Sequence, residues 1–151
     1  MAVTAGDKAP DFEAPTDGGE NVRLSDLRGK KVVLYFYPKD NTPGCTKEAC
    51  EFRDHMASLT QKGAVVLGVS PDSPASHDKF IAKHELNFKL VSDADKKIAD
   101  AYDVWKEKKL YGRSFLGIER STFVIDEEGV ITHAMRKVRV PGHVEAVLEL
   151  L

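Results

Sequence analysis

The stretch Val32-Val-Leu-Tyr-Phe-Tyr37-Pro38-Lys-Asp-Asn-Thr42-Pro43-Gly-Cys45-Thr-Lys-Glu48-Ala-Cys50 holds a strand, a turn and a helix start in one continuous run. Val32 to Tyr37 is an unbroken series of β-branched, aromatic and leucine residues, which reads as a strand buried on both faces. Pro38 ends it. Thr42-Pro43 has the form of an N-cap followed by proline at the first helical position, where the missing N–H costs nothing. From Cys45 the positions Ala49, Phe52, Met56 and Leu59 follow at steps of four, three, four and three, the stripe of a helix lying on a sheet, and Gly63 closes that helix.

Cys45 and Cys50 are the two cysteines of the 151-residue chain. The first turn of a helix points unpaired N–H groups and the positive end of its dipole at whatever sits there, so it is where a nucleophilic sulfur is placed. Cys50 lies about 140° further round the axis, with the two α-carbons roughly 8.6 Å apart on standard helix geometry. A disulfide wants them within about 7 Å. Two helical cysteines at this spacing are either buried small hydrophobes or a redox pair that bonds only when the helix start unwinds. The strand, proline and cap in front of Cys45 favour the redox pair.

Composition agrees with one domain spanning 1–151: hydrophobic content is 42%, with no repeat or low-complexity tract. The net charge of −2 is spread over 22 basic and 24 acidic residues, which argues against nucleic acid and anionic membranes as partners. No apolar run is long enough to span a bilayer, and Met1-Ala-Val-Thr-Ala-Gly-Asp7 has no signal-peptide core. Two cysteines in a chain this long do not make a secreted disulfide framework. The expectation is a cytoplasmic protein.

The remaining pattern alternates. Phe12–Ala14 and Asn21–Arg23 read as a short hairpin, Leu24–Leu27 as a turn of helix, Ala64–Val69 as a strand, and the segment after Pro74 as a helix to about His84. Leu90-Val91 is a short strand and Asp95–Tyr102 a short helix. Thr122–Ile125 and Val130–Met135 form a hairpin around Asp126-Glu-Glu-Gly129, and a final helix starts near Gly142. Strands separated by helices predict a three-layer α/β sandwich, with the final hairpin making the sheet mixed. Val104-Trp-Lys-Glu-Lys-Lys-Leu-Tyr-Gly-Arg-Ser-Phe-Leu-Gly117 shows no clear period and reads as a surface loop.

Pro38, Thr42 and Cys45 stand in the spacing P-x-x-x-T-x-x-C, which resembles the active-site motif of the peroxiredoxins, thiol peroxidases on a thioredoxin-like fold. Thr42-Pro-Gly-Cys-Thr-Lys-Glu-Ala-Cys50 is closer still to the bacterioferritin comigratory, or Q-type, subgroup. Gly6-Asp-Lys-Ala-Pro-Asp-Phe12, Leu24-Ser-Asp-Leu-Arg-Gly-Lys30, Val69-Ser-Pro-Asp72 and Arg120-Ser-Thr-Phe-Val-Ile-Asp126 are similar to further family segments, in the family order.

The resemblance implies a thioredoxin-like sandwich with a central mixed sheet and assigns roles by position. Cys45 matches the peroxidatic cysteine, which becomes a sulfenic acid, and Cys50 the resolving one. Thr42 matches the hydroxyl that hydrogen-bonds thiolate and peroxide, and Pro38 the residue that shields the sulfur from water. Arg120 matches the cation beside the thiolate, and Glu48 the acid that orients it. Thioredoxin or glutaredoxin is the implied reductant, a monomer the implied state, and no cofactor is called for. Trp105 or Phe115 either walls the pocket or packs under the loop.

The chemistry supports those roles, because reducing a peroxide calls for fixed donors and a cation where negative charge develops. Arginine suits this better than lysine, since it stays charged and offers a fork of donors. Taken singly, Thr42 reads more readily as a cap, Pro38 as a strand end, Glu48 as a dipole partner and Arg120 as a solvated charge; it is the constellation that is specific. A thioredoxin-type reductase would carry Cys-x-x-Cys. His55, His77, His84, His133 and His143 are scattered, unlike a zinc site. A Cys-His hydrolase has no local signature here. The alternative of another class is a non-enzymatic thiol sensor or client-binding protein.

Overall fold

The computed structural model describes residues 3–151. At its centre lies β3 (Lys31–Phe36), whose apolar run is buried from Val32 to Tyr37. It pairs in parallel with β4 (Ala64–Ser70) and antiparallel with β8 (Ser121–Ile125). With β5 (Lys89–Ser92) and β9 (Ile131–Met135) outside them, the mixed sheet has the order β5-β4-β3-β8-β9.

Alternation along β3 divides the core. Val32, Leu34 and Phe36 face one layer, with Tyr102, Ile98 and Val104, while Val33, Tyr35 and Tyr37 face the other. The second layer is closed by α1 (Pro43–Asp54), α2 (Met56–Gln61), α3 (Pro74–His84) and α5 (His143–Glu149). They contribute Ala49, Phe52, Leu59, Phe80, Val144 and Val147. The first layer takes α4 (Lys97–Ala101) and the hairpin of β1 (Glu13–Pro15) with β2 (Asn21–Arg23). This is a thioredoxin-like α/β sandwich.

Two expectations need correction. The single helix expected from Cys45 to Gly63 is interrupted at His55 (φ −103°, ψ 6°), whose backbone N–H and ring Nδ1 both engage the Glu51 carbonyl. The apolar stripe survives the break, because Leu59 on α2 stays buried in line with Phe52.

The segment read as a surface loop is an antiparallel hairpin of β6 (Trp105–Leu110) and β7 (Arg113–Ile118). Its two-residue turn places Tyr111 at φ 51° and Gly112 at φ 75°, the left-handed pair that matches strand twist. Its base is anchored: Ile118 is buried and Trp105 packs on the first core layer. Residues 111–116 are exposed and the half-buried positions Lys106 and Lys108 are lysines, so the apolar period that marks a half-buried strand is missing.

Candidate active site

The link from β3 to α1 sets the site. Thr42 occupies the N-cap position and Pro43 the first turn, as the sequence implies. The cap is backbone only, since the Thr42 carbonyl accepts from Thr46 N while its hydroxyl donates to the Lys39 carbonyl at 2.8 Å. The expectation that this hydroxyl caps the helix is therefore not met. Its lone pairs stay unused by these bonds. Pro38 is half-buried directly after Tyr37, where the strand ends.

Cys45 lies in the first turn of α1, 2% exposed, on the face that packs against the sheet. Arg120 reaches it from the residue before β8. Its Nη2 donates to Cys45 Sγ at 3.2 Å and its Nη1 to Glu48 Oε1 at 2.5 Å. One guanidinium fork thus joins the sulfur to the carboxylate. Gly44 leaves the space for this approach: a Cβ there would stand 3.3 Å from Arg120 Nη2.

Glu48 is fully buried, and its second oxygen, like the Tyr35 hydroxyl, has no hydrogen-bond partner among the described residues. Burial pushes its carboxyl up to about 7 against the pull of the Arg120 charge. Burial works against the Arg120 charge too, but Glu48 and Cys45 outweigh it and the net shift is upward. Beneath the site Tyr35 stacks on Phe52 at 4.6 Å and on Tyr37 at 5.5 Å, giving the sulfur a rigid aromatic floor.

Cys50 is helical and half-buried, and both thiols are free. Arg53, one turn on, is held by the Asp54 carboxylate at 3.0 Å and by the His84 carbonyl at 2.6 Å. Pro38, Thr42, Cys45, Glu48 and Cys50 therefore lie on one strand-to-helix connection, and Arg120 is the residue supplied from afar.

Sequence reasoning missed His143 and Lys108. His143, buried at the start of α5, lies 2.7 Å from the Thr122 hydroxyl. Burial and then the Arg120 charge push it down to about 4, so it is neutral at neutral pH. Lys108 is shifted downward by burial and then by Arg120, and it packs with Phe115 over Gly117 on one face of the β6–β7 hairpin. A solvated-looking lysine in a charged run carries no sequence signal for this. Trp105, the other expected wall of the pocket, instead packs on the first core layer with the Lys96 ammonium 5.5 Å from its ring centre.

Among the described residues no three His, Cys, Asp or Glu side chains converge as a metal-binding group, and no helix is long and apolar enough to cross a membrane.

The AhpC/TSA family model matches residues 5–134. Peroxiredoxin Bcp of Bacillus subtilis is 54% identical over 151 residues, covering 100% of this chain and 96% of the relative. The bacterioferritin comigratory protein of Xanthomonas campestris, studied for alkyl peroxide reduction, superposes with a TM-score of 0.91 at 45% identity, covering 97% of this chain and 96% of that one. A cysteine-to-serine variant of PrxQ from Xylella fastidiosa gives a TM-score of 0.94 at 44% identity, covering 99% and 96%.

Proposed function

This chain belongs to the AhpC/TSA family as a peroxiredoxin of the Bcp/PrxQ group and is a thiol peroxidase, and on that premise we propose that Cys45 is its peroxidatic cysteine. The observation that carries the assignment is the Arg120 fork, set on Cys45 Sγ at 3.2 Å and on Glu48 at the start of a helix.

The Cys45 thiolate attacks the terminal oxygen of a hydroperoxide. The S–O bond forms as the O–O bond breaks, and the departing alkoxide takes a proton to leave as the alcohol. Arg120 and the first-turn N–H groups of α1 stabilise the charge that moves from sulfur to oxygen. Thr42, its hydroxyl hydrogen committed to the Lys39 carbonyl, accepts the hydroperoxide O–H and so orients the substrate. Glu48 holds the guanidinium in place, and Pro38 limits water around the sulfur.

The Cys50 thiolate then attacks the Cys45 sulfenic sulfur, an S–S bond forms, and the oxygen leaves as water. A dithiol donor of the thioredoxin type, or glutaredoxin, returns two electrons to this disulfide. Hydrogen peroxide and organic hydroperoxides are the substrates, and the enzyme works as a monomer in the reducing cytoplasm.

The test is a coupled assay with hydrogen peroxide and cumene hydroperoxide, using thioredoxin or glutaredoxin as donor. Cys45→Ser should abolish peroxide consumption, whereas Cys50→Ser should consume about one equivalent and stall as sulfenic acid. Equal activity of the two variants would reject the assignment. Oxidation of wild type without turnover by either donor would favour the thiol-sensor reading instead.

A further inference from the structure

Asp40 sits in the six-residue link between β3 and α1, and it is buried, 6% exposed. Three donors converge on it. The Tyr37 hydroxyl donates to Oδ1 at 2.6 Å, and the Ser76 hydroxyl and His77 Nδ1 reach Oδ2 at 2.8 and 2.7 Å. Its backbone N–H donates to Asp72 at 2.7 Å.

His77, on α3, is fully buried. Its Nε2 lies 3.0 Å from the Val91 carbonyl on β5, which only accepts, so that nitrogen carries a hydrogen. Its Nδ1 faces a carboxylate, so a second proton lies between the ring and Asp40. The pair is therefore a buried imidazolium–carboxylate contact that joins α3 and β5 to the segment immediately before Cys45.

We propose that His77 is a positioning residue of the peroxidase reaction: acting through Asp40, its proton latches the Pro38–Thr42 link and decides how readily the Cys45 helix start opens. With the latch closed, Thr42, Cys45 and Arg120 keep the arrangement that meets peroxide. With it released, the first turns of α1 loosen and Cys45 can approach Cys50, a consequence that rests on the resolving role given to Cys50 above.

The direction with pH follows from the groups around the ring. Among the described residues, Asp40, Asp72 and Tyr37 are the charged or titratable groups that face it. Burial works against the imidazolium, but the Asp40 hydrogen bond and charge, the Val91 carbonyl and the Asp72 charge outweigh it, and the net shift is upward. A histidine whose proton is held more tightly closed than open stabilises the closed link fully below the pKa of the free ring. That contribution is lost as pH rises through the higher value of the closed form. Alkaline conditions therefore open the latch.

The experiment uses the full-length dithiol protein. The His77 ring is titrated by NMR, and amide exchange of residues 39–50 is followed over the same pH range as protection factors. Protection should fall through the His77 midpoint, by about tenfold for each unit separating that midpoint from an unstructured histidine. His77→Asn should lower protection at acid pH to the alkaline wild-type level and flatten the curve. Ser76→Ala should lower protection while keeping the pH dependence, because it leaves the ring in place.

Titration of His77 with unchanged protection of 39–50, or an equal fall throughout the sheet, overturns the proposal. So does loss of the pH dependence in Ser76→Ala. If His77→Asn does not fold, the wild-type and Ser76→Ala curves decide alone. Mass analysis after one equivalent of peroxide separates the two claims: a pH-dependent latch without a Cys45–Cys50 disulfide keeps His77 in its role and rejects Cys50 as the resolving thiol.

Discussion

Arg120→Ala removes two charge-assisted bonds at once, to Cys45 Sγ at 3.2 Å and to Glu48 Oε1 at 2.5 Å, from a side chain only 16% exposed. The first loss falls on the reaction. Deleting one fixed donor from a site of developing negative charge costs about 2.7–4 kcal/mol, so the second-order rate with hydrogen peroxide should drop roughly 10²- to 10³-fold. Alkaline pH, which ionises thiols generally, should recover only part of it, since the departing oxygen still lacks its cation.

The second loss falls on stability. Glu48 rises from 4.5 to about 7 on folding, because of burial. The folded chain therefore binds more protons than the unfolded one across that window, and stability falls by about 3 kcal/mol as pH rises from 4.5 to 7. Without Arg120 the carboxyl has no cation and its range extends further upward. The variant should then lose more urea stability between about pH 7 and 9 than wild type, in which this group is already half ionised at about pH 7. Stopped-flow peroxide reduction and urea unfolding at several pH values measure the two halves. A rate within threefold of wild type, or parallel stability curves above pH 7, would refute the reasoning.

Oxidation should cost helix. Cys45 and Cys50 are both in α1, where standard geometry keeps their α-carbons roughly 8.6 Å apart, so the disulfide form should show weaker helical circular dichroism and faster amide exchange from Cys45 to Arg53. Identical spectra for forms verified by mass as dithiol and intramolecular disulfide would remove the conformational step. Gly68→Ala tests the floor of the site: its Cβ would fall 2.8 Å from Leu90 Cδ2 and 2.9 Å from Tyr35 Cζ, and unfolding should become about 1–3 kcal/mol easier by urea titration. Unchanged stability would mean that the Tyr35 stack yields more freely than its packing implies.

Local chemistry accounts for what the sequence determined. The strand over Val32–Phe36, its end before Pro38, the helix start at Thr42-Pro43 and the inward placement of Cys45 depend on residues within a few positions of one another, through dihedral restriction and apolar period. The same period separates Cys45 from Cys50. The β6–β7 hairpin escaped because residues 111–116 are exposed, leaving its outer end without an apolar alternation to read, and Thr42's hydroxyl donates to Lys39 instead of accepting from the first turn, whose N–H groups it leaves open.

What joins distant residues was decided by the tertiary structure. Arg120 is 75 residues from Cys45, and only the antiparallel register of β8 on β3, with Ser121 opposite Phe36, delivers it to the start of α1. Resemblance pointed to that arginine; strand pairing put it in place. Glu48 is buried and pushed up to about 7 by the layer that closes over it, and His77 meets Asp40 and Val91 only when α3 and β5 pack beside the link. Burial and pairing across the sheet are sums over the whole chain, and they convert ordinary charged residues into the groups that set this sulfur's surroundings.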